Sequence, residues 1–545
     1  MDLMTKAAEM AADFLENEGD YRMGYIEAEQ SNPKTRNLDA VFKADPAQGV
    51  RTLFSVDADL VPLYKKTLAS APFDRLRDSI YATLTGGGKI ILSGCGSSGR
   101  LCMGVERGFR RACKKLGLSH LGEQITTIMT GGDYAVIRAV EFFEDYESLS
   151  AQQVDELNVG SGDLLIGVTA TAETTSILAT AYQASVRGAS VCMVVCSDPQ
   201  HLMGKMERAD RLYTRDKVDV VYLPCGPMAV TGSTRMQSST IEQTVIATAF
   251  EGALCTISGK VFDKAYYAEA FRRTVEYLQS DACVEKIAAY AQEEASLYGG
   301  NGYVTYFTAN YMLDILTDST ERGPTFATPP LRQQNRKDLK LSWAFAKNTK
   351  FACADAWLDC LGRKPRCIEW DEATYRRLGV TEQIPDISYD RLLEFEIGKE
   401  PDTERESQNN TVAIWVDSAG PDGDFDRCAA PYGRKIELVF AVDHTPTLLD
   451  IFEHIGMKMI LNATSTSAAA LFGRISGNYM TYLDMSNKKL IDRGSRIISE
   501  LCDVPYETAL KELFYAYLKV KQSGENLSPA QEAIRKLRAN TQKET

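Results

Sequence analysis

The chain has 545 residues, 44% of them hydrophobic and 25% charged. That is an ordinary globular composition, in a length that implies two or three domains rather than one core. A formal net charge of −13 argues against nucleic acid or an anionic membrane as the main partner, since either calls for a broadly basic surface. An anionic ligand would need a local positive site made of helix N-termini and a few placed cations.

Met1–Asp20 carries acids among its apolar positions and has no signal-peptide core. No apolar run approaches the length of a transmembrane helix, so the expected location is the cytoplasm. Thirteen cysteines occur singly with no CxxC pair, the pattern of reduced, mostly buried thiols. Four histidines (His120, His201, His444, His454) are too dispersed for zinc spacing, so neither metal nor cofactor is expected.

In chain order, residues 1–85 read as mostly helical, broken at Ser31-Asn32-Pro33 and Asp45-Pro46. Strand and helix patterns then alternate. Candidate strands are Ile90–Leu92, Ile125–Met129, Leu164–Val168, Val191–Val195 and Val218–Leu223, with helices over Tyr134–Phe143 and Thr175–Val186. A long helix spans about Arg235–Ser258, and polar helices fill 262–297. A second α/β region takes its strands from Tyr303–Phe307, Thr411–Val416 and Ile436–Val442. The segment 399–433, rich in Asp, Asn, Gly and Pro, is expected to contain surface loops. The expected fold is α/β, with two doubly wound, mainly parallel five-stranded domains and helical segments at both ends. The boundaries are 1–50 for the N-terminal segment, 51–260 for the first domain, 261–490 for linker helices and second domain, and 491–545 for the tail. Similar helix sequences at Thr244–Lys260 and Lys458–Arg474 give a weak internal repeat.

The segment Lys89-Ile-Ile-Leu-Ser-Gly-Cys-Gly-Ser-Ser-Gly-Arg100 carries the most chemistry. A buried strand breaks into a Gly/Ser turn and then a helix running to about Leu116. This arrangement lets backbone N–H groups and hydroxyls converge on an anion. The spacing is neither GxGxxG nor a Walker loop. Cys95 lies in the turn, but no histidine is near it in sequence, so it is given no nucleophilic role.

Four segments together resemble the sugar isomerase (SIS) superfamily, within the group holding N-acetylmuramic acid 6-phosphate etherase and the glucokinase regulatory protein. They are Glu29-Gln-Ser-Asn-Pro33 with Asn37-Leu-Asp39; Gly94–Arg100; Gly131-Gly-Asp133 with Glu141-Phe-Phe-Glu-Asp145; and Val230-Thr-Gly-Ser-Thr-Arg-Met236. In the second half, Asp318-Ser-Thr-Glu-Arg-Gly-Pro-Thr-Phe326 resembles an etherase motif containing a catalytic glutamate. The run from Phe472-Gly-Arg474 to Ser486-Asn-Lys-Lys-Leu490 resembles the segment that closes the fold. The resemblance implies ligand contacts from Gly96, Ser97 and Ser98 on the turn and from Thr169 and Thr171 after the third strand. It also implies contacts from Ser233, Thr234 and Lys458, with Glu144 and Glu321 catalytic if the chain is an enzyme.

The departures from the family pattern complement one another. Where the etherase carries its glutamate on the helix after the turn, this chain has Gly108, with Glu106 two residues early. The second half keeps Glu321 but has Thr308-Ala-Asn-Tyr311 in place of a Gly/Ser turn. Glu173 and Gln237 also replace the family's residues, which leaves the sugar open. One composite site per chain is therefore expected. The resemblance implies a sugar-phosphate-binding protein of the double-SIS, regulatory-protein-like type, with a sugar kinase or another protein as a candidate partner. The alternatives are a metal-independent carbon–oxygen lyase releasing lactate and, behind it, an aldose–ketose isomerase.

Overall fold

The computed structural model describes residues 2–442, 445–483, 485, 487–523 and 527–544. Of the residues named above, Met1, His444 and Ser486 lie outside them. A five-stranded sheet is formed by β1 (Ile90–Gly94), β2 (Ile125–Met129), β3 (Leu164–Thr169), β4 (Ser190–Val195) and β5 (Val218–Tyr222), in the order β2-β1-β3-β4-β5. All its pairings are parallel. Every residue of β1, β2 and β3 is buried, which is why these strands read as mostly apolar rather than alternating: helices cover both faces. Gly94 at the end of β1 pairs with Met129 and Val168. The carboxyl ends of β2, β1 and β3 therefore lie side by side, where an open parallel sheet binds its ligands.

The stretch expected as a helix over Tyr134–Phe143 is two 3₁₀ turns, Asp133–Val136 and Glu141–Asp145. Gly131 and Gly132 before it have positive φ. Asp133 then pairs its backbone N–H and carboxylate with Arg366, the N–H donating to Arg366 O at 3.0 Å and Oδ2 accepting from Arg366 N at 2.6 Å. Those long-range bonds compete with helical ones.

The second sheet has four strands, not the expected five: β6 (Tyr303–Thr308), β7 (Ala344–Asn348), β8 (Thr411–Asp417) and β9 (Arg434–Val439), ordered β7-β6-β8-β9 and all parallel. It repeats the first sheet without the outermost strand: among the described residues between β9 and the Ile451–Leu471 helix there is no further strand. That helix and Gln237–Ile257 lie against each other and are buried along nearly their whole lengths. Their hydroxyls are tolerated there because they bond back to carbonyls one turn earlier, as in Thr244 to Thr240 O at 2.6 Å and Ser467 to Ala463 O at 2.6 Å. The two ends of the chain meet: Leu3–Asn17 packs on Tyr506–Ser523, with the Phe14 and Phe514 rings 6.4 Å apart. Among the described residues no helix is long and apolar enough to cross a membrane, and no cysteine is in a disulfide.

Candidate functional site

The turn after β1 opens directly into a 20-residue helix, Gly96–Lys115. Gly96 has φ of +53°, a conformation that favours glycine. Gly99 is required by contact instead: a Cβ there would lie 2.1 Å from Met129 Sδ and 2.7 Å from Gly94 O. Gly99→Ala should therefore cost about 1–3 kcal/mol of stability, read as a lower urea midpoint at unchanged slope.

Above this turn is a cleft of about 900 Å³, counting its solvent-open mouth. It lies between the two sheet-containing halves. Gly96, Ser97, Glu144 and the Gly232–Arg235 loop line it from the first half; Glu321 enters from the second-half helix Met312–Phe326. Glu321 Oε1 is 3.7 Å from the point where a Gly96 Cβ would stand, so the second-half carboxylate borders the turn itself. It accepts a hydrogen bond from Arg100, whose guanidinium is fixed by Val136 O at 2.9 Å and Ala135 O at 2.7 Å. Glu144 Oε2 accepts from Cys95 Sγ at 3.6 Å. The turn bearing Glu144 is propped by the second half, with Trp370 stacked on Phe143 at 5.9 Å and Tyr146 donating to Glu382 at 2.5 Å.

The N-terminal signature shapes the opposite wall. Asn32 donates to Pro227 O at 2.6 Å and Thr35 to Ala229 O at 2.7 Å. Asn478 ties both to the loop, donating to Asn32 O at 3.1 Å and accepting from Thr231 at 3.1 Å. Gly232, at φ of +71°, lets Arg493 pass: a Cβ there would stand 2.6 Å from its Nε. Ser97 and Thr234 hydroxyls are 3.4 Å apart. Ser233 Oγ and Arg235 Nε, both in the cleft wall, are buried without a protein partner.

Four cations reach the cleft, and each is oriented by a carboxylate. Arg100 has Glu321, Arg235 has Asp318 at 2.6 Å, Lys489 has Glu173 at 3.1 Å and Arg493 has Glu29 at 2.6 Å. Burial opposes the charge on Lys489, but Glu173, Glu144 and Glu29 override it and hold the ammonium protonated well above its usual range. Glu173, at a position where a carboxylate beside a phosphate would be unfavourable, is neutralised by Lys489 and by Arg208 at 3.0 Å.

The structure separates several of the expected ligand residues from this cleft. Ser98 turns away, its hydroxyl 3.5 Å from Glu242, a carboxyl that burial pushes up to about 8. Thr169 bonds Thr174 at 2.7 Å and Thr171 bonds Glu173 at 3.0 Å, and neither lines the cleft. Lys458 is also absent from the wall. Burial pushes its ammonium down to about 7, and it donates to Arg235 O at 2.9 Å and to Thr240 at 2.8 Å. Glu106 is spent on Arg110 and Arg363, at 3.0 and 2.8 Å. Arg100, Arg235, Lys489 and Arg493 were not singled out from the sequence. Arg100, Arg235 and Lys489 stand inside segments that carry the resemblance, which was the available signal.

Residues 75–183 match the family model described as the glucokinase regulatory protein N-terminal SIS domain. The match places residues 75–183 among SIS domains. Among these, the similarity is to the group of that regulatory protein and the etherases. The chain is 28% identical over 235 residues to the N-acetylmuramic acid 6-phosphate etherase of Klebsiella aerogenes, covering 43% of this chain and 71% of that one. It is 32% identical over 191 residues to that of Aeromonas hydrophila subsp. hydrophila, covering 34% and 57%. Among solved structures, glucosamine-6-phosphate deaminase from Thermotoga maritima superposes with a TM-score of 0.39 at 12% identity, covering 77% of this chain and 98% of that one.

Proposed function

We propose that this protein binds a phosphorylated sugar in the interdomain cleft. The phosphate would lie on the Gly96–Ser97 turn near Lys489, and the sugar ring between Glu144 and Glu321. The observation that carries this reading is Glu321 beside Gly96: the anion turn comes from one half and the facing carboxylate from the other. A helix N-terminus supplies N–H donors to an anion, and nearby cations add charge. The Arg100–Glu321 hydrogen bond supports binding, because it orients a carboxylate that can accept hydrogen bonds from sugar hydroxyls. The counterpart of the etherase's first-half glutamate is Gly108, where a Cβ would meet Leu449 O at 3.2 Å. On this reading the chain is a sugar-phosphate sensor of the regulatory-protein type.

Two carboxylates in one cleft favour a second reading, an etherase-type lyase. One would remove the proton at C2 and the other protonate the departing lactyl oxygen. Incubation with N-acetylmuramic acid 6-phosphate separates the two. The sensor binds a sugar 6-phosphate and releases no lactate; catalytic lactate release establishes the lyase.

Ser97→Ala is expected to weaken binding of a sugar 6-phosphate by about 1–3 kcal/mol, the cost of leaving an anion oxygen without a donor. Ser98→Ala, on the side facing Glu242, should leave affinity unchanged by calorimetry.

A further inference from the structure

A second, more enclosed cavity lies on the seam between the halves, behind the anion turn. Its walls include Arg107, Gly108 and Arg111 on the Gly96–Lys115 helix, Thr317 on Met312–Phe326, and His454 and Lys458 on Ile451–Leu471. The charge balance of these walls is unusual. Arg107 is only 5% exposed, yet its one hydrogen bond is from Nε to Asp359 O at 3.0 Å. No carboxylate pairs with it among the described residues. Arg111, one helical turn further on the same face, is exposed and likewise has no ion pair among the described residues. Lys458 donates to neutral oxygens only: two carbonyls, a hydroxyl and the Asn462 amide. The two carboxylates in the wall are already engaged, Asp314 with His454 at 2.8 Å and Asp450 with Lys115 at 3.1 Å.

A guanidinium buried without a counter-charge is costly. Here a buried arginine, Arg107, and an exposed one, Arg111, border one cavity with no carboxylate bonded to either among the described residues. Gly108 keeps the wall open at its centre, since a side chain there would run into Leu449.

We propose that this cavity binds a small divalent oxyanion, inorganic phosphate or a compact phosphate monoester, held by Arg107 and Arg111. It is distinct from the sugar cleft, and the two arginines that would hold the anion lie further along the helix than the Gly/Ser turn. Ser97 and Arg100 border both cavities, so an anion here sits against the back of the turn that faces the sugar.

Calorimetric titration of the full chain with inorganic phosphate tests this. Arg107→Gln should abolish one equivalent of phosphate binding and Arg111→Gln should weaken it about ten-fold, the loss of a charge-assisted hydrogen bond. Arg107→Lys should restore most of it, which separates lost charge from lost folding. Both glutamine variants should keep wild-type affinity for a hexose 6-phosphate, so failure of this site and failure of the sugar cleft read differently. Absence of phosphate binding by the wild type, or binding that both glutamine variants leave intact, would overturn the proposal.

Discussion

Replacing Arg322 by methionine should destabilise the chain by about 3–5 kcal/mol, the cost of removing one partner from a buried ion network. Arg322, 4% exposed, bonds Glu294 at 2.6 Å and Asp318 at 2.9 Å, and these carboxylates are 0% and 1% exposed. Asp318 in turn holds Arg235 of the cleft at 2.6 Å and accepts from Ser465 at 2.8 Å and Asn462 at 3.0 Å. Burial alone would raise the Asp318 carboxyl, but Arg322 and Arg235 outweigh it and hold it below the ordinary range. A carboxyl lowered on folding adds stability that is present above its unfolded pKa of about 4 and lost as pH falls through the lower folded value. Without Arg322 the folded value rises, so acid destabilisation should begin at higher pH in the variant. Urea unfolding of both proteins at pH 7 and pH 5 measures this. A loss below about 1 kcal/mol, the range of an exposed pair, would mean the network is not closed.

Glu321→Gln should lower sugar-phosphate affinity by about 1.5–3 kcal/mol, since a carboxylate shared between Arg100 and a sugar hydroxyl becomes a neutral amide. Glu144→Gln is expected to act in the same direction. On the lyase reading the pattern differs: each change would cut turnover about 10²–10⁴-fold and leave binding of an uncleavable sugar phosphate nearly intact. Affinity and kcat measured on the same two variants therefore report which role the carboxylates have.

Legibility followed burial symmetry. The strands β1 to β4 were readable because they are covered on both faces and are mostly apolar. β7 was missed because Ala344-Phe-Ala-Lys-Asn348 holds a lysine, a residue that reads as surface. Lys347 is in fact 2% exposed, with its ammonium taken by Glu396 O at 3.1 Å and Glu400 O at 2.5 Å. The anion turn was plain from its glycines, and the resemblance pointed to Glu144 and Glu321. Side-chain direction around the turn was not readable: Ser97 and Ser98 are adjacent, yet one helical step swings the second toward Glu242. Nor were the cleft cations, because their orientation depends on distant carboxylates. Arg493, for example, is aimed by Glu29, 464 positions earlier.

The central claim is a single sugar-phosphate site assembled from both halves. A crystal structure of the chain with N-acetylglucosamine 6-phosphate, which has no lactyl ether to lose, tests it most directly. The expected result places the phosphate on the Gly96–Ser97 turn within hydrogen-bond reach, with the ring between Glu144 and Glu321. A phosphate bound away from that turn, or a ring held by residues of only one half, would contradict it.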